Sequence, residues 1–287
     1  MRRRAAVAGT WYPGDPRQLA ADIDLYLSAA HLGPPFDPLI ALLAPHAGLM
    51  YSGGVAGHAY AALAKQARPD AVVLVGPSHY VGFDGAAVWP SGAFDTPFGA
   101  LPVHDEIASA LLARADVARD VPSAHAREHS LEMQLPFVAR LFPGVPIVPV
   151  VMGFQEHDTI VALAGALADA CAGHRVVLVA SSDLSHFFDA RTATRLDSHV
   201  ADLVGAFDVT GLLTELERYP EGERGRFVMC GGGPAVSVMM AAQRLGADRA
   251  AVLTRSHSGE VSGDNDRVVG YLAAVFGQQS PREGTEA

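Results

Sequence analysis

Five short runs of Val, Leu, Ile and Ala are apolar along their length, not at every second residue. This pattern constrains the fold more than anything else in the chain. The runs lie at residues 39–43, 71–75, 146–151, 176–180 and 250–253. A strand with one wet face alternates, whereas a continuous run belongs to a strand covered on both faces. Segments of helical period separate the runs. In the first, Asp15 is placed to cap, Pro16 suits the first helical position, and Leu19, Ile23 and Leu27 share one face. Further helices are expected at 55–65, 105–115, 130–141, 157–172, 191–207 and 234–245. Strand alternating with helix predicts an α/β fold: a mostly parallel central sheet with helices on both faces. Residues 81–103, rich in Gly, Pro and aromatics, read as an irregular or short antiparallel insertion near the sheet edge. One domain is expected over 1–277, followed by a disordered polar tail at 278–287.

Composition narrows the function classes. The 287 residues are 49% hydrophobic and 18% charged, enough for a deep core. The formal charge of -10 opposes a nucleic-acid partner, because only Arg2, Arg3 and Arg4 cluster positive charge. No apolar run approaches the roughly 20 residues that cross a bilayer, and no secretory h-region opens the chain, so no membrane association and a cytoplasmic location are expected. The two cysteines, Cys171 and Cys230, fit a reducing compartment. Cys171 sits in an Ala-rich helical stretch and reads as a buried structural thiol.

Open α/β sheets bind ligands beyond the carboxyl ends of their strands. Here those positions are polar: Ala44-Pro45-His46-Ala47-Gly48, Gly76-Pro77-Ser78-His79-Tyr80 and Ser181-Ser182-Asp183-Leu184-Ser185-His186. One loop histidine is ordinarily a surface residue. Three strand ends each delivering an imidazole to one edge point to a metal-binding or catalytic pocket. None forms a short metal motif such as HExxH, so the inference depends on the fold bringing them together.

Met229-Cys230-Gly231-Gly232-Gly233-Pro234 reads as a turn into a helix with Pro at its first or second position. The free N–H groups of a helix start favour thiolate, the form that ligates metal or attacks carbon. A tight turn with a small buried residue is the competing reading. In Arg127-Glu128-His129-Ser130-Leu131-Glu132, Ser130 and the carboxylates suit a helix start, while His129 or Glu132 is available to face the pocket.

Together these segments resemble the MEMO family, including its prokaryotic members labelled AmmeMemoRadiSam system protein B. The matching features run in order from about Val7 to Phe276: Ala8-Gly9-Thr10-Trp11-Tyr12-Pro13, the His46 loop with Tyr51-Ser52-Gly53, the His79 loop, Glu128-His129-Ser130-Leu131-Glu132, the loop ending at His186, and the Cys230 turn. That family is similar in fold to class III extradiol (LigB-type) dioxygenases, whose non-haem iron is held by two His and a Glu. The resemblance implies metal ligands His46, His79 and Cys230, with Cys replacing Glu. It implies His186 as the catalytic His, with Asp183 beside it, and Tyr51, Ser78, His129, Glu132 and Ser182 around the pocket. His257 matches no family ligand.

A divalent metal follows as the expected cofactor, Fe(II) first. A thiolate is softer than a carboxylate and brings copper and zinc into contention. Three activities compete: iron or copper redox chemistry on a small substrate, hydrolysis with Cys230 as nucleophile, and non-catalytic capture of a small-molecule or peptide ligand. The family label also implies a functional link to AMMECR1-like and radical SAM proteins.

Overall fold

The computed structural model describes residues 1–31, 33 and 36–279. The chain opens with β1 (Arg2–Arg3), α1 (Pro16–Ala29), β2 (Phe36–Ala44), α2 (Leu49–Leu63) and β3 (Ala71–Pro77). An excursion follows through β4 (Ala86–Val88), β5 (Ala93–Thr96), β6 (Gly99–Pro102), α3 (Asp105–Leu112), β7 (Ala118–Arg119) and α4 (Pro122–Ala126). A 3-10 turn (Glu132–Gln134) then leads into α5 (Leu135–Leu141), β8 (Ile147–Met152), α6 (His157–Cys171) and β9 (Val176–Ser181). The last part holds β10 (His186–Phe188), α7 (Ala190–Gly205), α8 (Val209–Glu217), α9 (Glu221–Phe227), α10 (Gly232–Arg244), β11 (Arg249–His257), α11 (Gly259–Ser262) and β12 (Val268–Gln279).

The five apolar runs are all strands of one nine-stranded sheet, ordered β10-β12-β2-β9-β3-β8-β4-β7 with β11 on β12. At its centre β2, β9, β3 and β8 are parallel, and all of β3, β8 and β9 is buried, as continuous apolar runs require. On either side the pairing turns antiparallel: β12 on β2, β11 and β10 on β12, β4 on β8. The sheet is therefore mixed, with four parallel strands in the middle and a short parallel pair, β4 and β7, at one edge. Helices α1, α2 and α5 pack with one another, and α6, α7, α8 and α10 form a second set; α2 lies on β2, β11 and β12, α10 on β2, β3 and β9.

Several boundaries moved. Asp15 caps α1 as expected, its carboxylate accepting from the N–H groups of Arg17 and Gln18 at 3.0 and 2.9 Å. Helix α5 begins only at Leu135, because Ser130 is not a cap: its hydroxyl donates to the Pro77 carbonyl at 3.0 Å and ties the end of β3. The excursion at 81–103 supplies β4, one strand in from the β7 edge, and the β5–β6 hairpin, as its composition predicts. Strand β12 has no counterpart among the apolar runs, and it carries Gln278 and Gln279 away from the expected tail; residues 280–287 lie outside the described residues. Helices α8 and α9 have no counterpart among the expected helices either. Among the described residues no helix is long and apolar enough to cross a membrane.

Candidate metal centre

Strand β9 lies between β2 and β3. Its register sets Ser181 beside Ala44 and Ala180 beside Val75, so the three strands end at one edge. The following loops therefore place His46 and His79 around Ser182 and Asp183. The two imidazoles meet edge to face with centroids 5.2 Å apart, and His46 is buried. Cys230 arrives from the turn before α10, its Sγ 3.2 Å from His46 Nε2. The ligating atoms of His46, His79 and Cys230 all lie within 4.8 Å of one another, so these residues can hold a metal ion.

Each imidazole is tied from behind. His79 Nδ1 lies 2.8 Å from Glu128 Oε1, and His79 N–H donates to Glu128 Oε2 at 2.7 Å. A carboxylate only accepts, so Nδ1 carries hydrogen and Nε2 is the nitrogen free to act as a ligand atom, as in carboxylate–histidine–metal arrangements. Glu128 is buried and its pKa is lowered to about 2: desolvation opposes ionisation, but the bonds from His79 and Ser130 outweigh it. His46 Nδ1 lies 3.0 Å from Ser181 Oγ.

The cysteine turn is close-packed. A Cβ on Gly231 would stand 2.4 Å from the Ser181 carbonyl oxygen, so no larger residue lets the turn sit this close. Gly231 N–H donates to Ser182 Oγ at 2.8 Å. Gln155, beyond the end of β8, spans the turn: its Nε2 donates to the Cys230 carbonyl at 2.7 Å and its Oε1 accepts from Gly233 N–H at 2.7 Å. Pro234 is the third helical residue, since α10 starts at Gly232. Burial favours the neutral thiol, yet the electrostatic effect of His46 and hydrogen bonds to His46 and His79 prevail and lower the Cys230 pKa to about 6. Desolvation opposes charge on His79, but hydrogen bonds to Cys230 and Glu128 raise it to about 10.

Against His46 and His79 opens a cavity of about 620 Å³ whose lining also includes Asp183, His186, His129, Trp11, Tyr51 and Arg267. His186 Nδ1 lies 2.8 Å from the Leu184 carbonyl and 2.9 Å from that of Gly225. Both oxygens only accept, so Nε2 is the ring atom left to exchange a proton. Asp183 accepts from the N–H of His46 at 2.7 Å, and burial raises its pKa. His129 stacks on His79 at 4.4 Å, and burial, with the neighbouring His46 and His79, lowers its pKa to about 3.

Of the residues expected around the pocket, Tyr51 and His129 line it and Ser182 braces the cysteine turn. Glu132 does not face the cavity. It is fully buried against the N-terminal segment, paired with Arg3 and accepting from Ala6 N–H, Val7 N–H and the Tyr12 hydroxyl. Ser78 is also outside the lining, its hydroxyl donating to the Val81 carbonyl at 2.7 Å. His257 pairs with Gly270 in the β11–β12 ladder and does not line the cavity. Glu128, Gln155 and Arg267 hold places at the site that the sequence pattern alone does not assign. A carboxylate directly before His129 was a usable signal for Glu128; nothing local marks the other two.

The Memo-like protein family model matches residues 3–275. A MEMO1 family protein of Methanopyrus kandleri is 36% identical, covering 96% of this chain and 99% of its own length. One from Saccharolobus solfataricus is 34% identical over 96% of this chain and 100% of its own. An uncharacterized protein of Escherichia coli, known from a crystal structure, shares the fold with a TM-score of 0.55 at 15% identity, covering 82% of this chain and 99% of that one. With the family model matching residues 3–275 and relatives about a third identical over nearly the whole chain, the chain belongs to the Memo-like protein family.

Proposed function

We propose that this protein is a metalloprotein in which His46, His79 and Cys230 hold one divalent cation, with Fe(II) the first candidate and copper or zinc the others, and that it carries out redox chemistry on a small substrate in the adjoining cavity. The observation that carries this reading is the convergence of three ligating atoms within 4.8 Å from three separate loops. Iron or copper held there would supply electron transfer and Lewis acidity. The chain itself supplies the rest. His186 Nε2 is placed to hold or move a substrate proton, Asp183 pins the His46 loop, and Trp11 and Tyr51 line the cavity where a substrate would sit. The thiolate in place of a carboxylate argues against carrying dioxygenase activity over from fold relatives unchanged.

Metal analysis of anaerobically purified protein tests the site. Close to stoichiometric metal is expected in wild type, with loss in His46→Ala and His79→Ala and a changed metal preference in Cys230→Ser. Unchanged metal content in both histidine variants overturns the reading.

A second reading has its own support: the 3.2 Å approach of Cys230 Sγ to His46 Nε2 suits a thiolate nucleophile with an imidazole partner. Stoichiometric alkylation of Cys230 in metal-free protein, blocked by His46→Ala, favours it; an inert thiol removes it.

A further inference from the structure

Behind His46, away from the cavity, lies a polar cluster in the middle of the core. Tyr60 of α2, Ser130, Gln134 and Ser181 at the end of β9 are all fully buried. Hydroxyls and amides buried this deeply are costly unless each finds a partner of the right kind, so the direction of every bond can be worked out.

Gln134 Nε2 lies 3.0 Å from the Pro45 carbonyl and 2.8 Å from Ser181 Oγ, while the Tyr60 hydroxyl donates to Gln134 Oε1 at 2.9 Å. Exchanging the amide oxygen and nitrogen would set two oxygens against each other at Pro45, so the amide orientation is determined. Ser181 Oγ lies 2.6 Å from the Ser130 carbonyl. That carbonyl only accepts, so it takes the single hydrogen of the Ser181 hydroxyl. Ser181 Oγ is left with acceptor capacity alone, one share of it used by Gln134. The 3.0 Å contact to His46 Nδ1 is then a bond in which the imidazole donates.

We infer that Ser181, oriented by Gln134 and Tyr60, is a positioning residue that holds His46 in the Nδ1–H tautomer and so keeps the Nε2 lone pair directed at the Cys230 side of the site. The inference rests on the metalloprotein reading for its purpose, not for its geometry.

Nitrogen NMR of His46 in metal-free Cys230→Ala protein, where no thiol shares the Nε2 proton, is expected to show Nδ1 protonated and Nε2 bare. The opposite assignment overturns the inference without any change at Ser181. Ser181→Ala is expected to lose that preference and to bind zinc about 10- to 100-fold more weakly in competition with a chromophoric chelator. Ser181→Thr, which keeps the hydroxyl, should restore both. Wild-type zinc affinity with an unchanged Nδ1–H signal in Ser181→Ala also overturns the inference. If Ser181→Ala does not fold, the tautomer measurement decides. If wild-type protein binds none of zinc, Fe(II) and copper, the metal reading fails while the tautomer result still judges Ser181.

Discussion

Glu128 accepts two hydrogen bonds from His79, one from its backbone N–H and one from ring Nδ1, and so sets both the position of the residue and the rotation of its ring. Glu128→Ala should weaken metal binding about 10- to 100-fold, the usual effect of removing a carboxylate behind a ligating imidazole. Glu128→Gln, which keeps one acceptor, should lie between. Metal affinities measured by competition check this; equal affinity in Glu128→Ala contradicts the assigned role.

Gly231 approaches the Ser181 carbonyl too closely for any side chain. Gly231→Ala should move the turn and carry Cys230 away from His46, lowering metal occupancy severalfold or more. The fold should survive, since the turn before α10 can shift without breaking a strand. Metal content alongside the unfolding temperature distinguishes a displaced ligand from a collapsed protein.

Glu132 and Arg3 form a buried ion pair that seats the N-terminal segment, with Ala6 and Val7 amides on the same carboxylate. Glu132→Ala leaves a buried guanidinium unpaired and should cost about 3–5 kcal/mol of stability. Because the Ala6 and Val7 amides lose their acceptor, faster amide exchange at both should accompany the loss.

His125 is buried against Trp89 and Phe94, and desolvation lowers its pKa to about 4, with Arg3 adding repulsion. The unfolded chain binds this proton near pH 6.5 and the folded chain resists it, so stability falls as pH drops from about 6.5 towards 4 and levels off below. The loss reaches at most roughly 3–4 kcal/mol, since a tenfold difference in proton affinity between the two states is worth about 1.4 kcal/mol. Denaturant titrations of wild type and His125→Leu across that window should show stability depending less steeply on pH in the variant; equal dependence contradicts the assignment.

Much of the site was legible because strand ends are local. Apolar runs 39–43, 71–75 and 176–180 announced where β2, β3 and β9 stop, and the next few residues contained His46, His79 and Asp183. Cys230 was legible as a helix-start cysteine for the same reason. Glu132 and Ser130 misled because a capping pattern states which atoms are available, not which partner is nearest. In the fold those partners are Arg3 and Pro77, far away in sequence. Strand β12 escaped because glycines at 270 and 277 and paired alanines thin its apolar signal; Gly270 is needed where the Asp197 carboxylate packs against the backbone.

By itself, then, the sequence determined the α/β alternation and the edge of the sheet where the polar loops gather, since each follows from residues adjacent along the chain, while the His46, His79 and Cys230 donor set came with the family resemblance. Only the tertiary structure decided that β9 inserts between β2 and β3, that Glu128 rather than Glu132 stands behind His79, and that Ser181 fixes His46. Those are contacts between segments some 50 to 135 residues apart, and the direction of a buried hydrogen bond depends on every partner in its network at once.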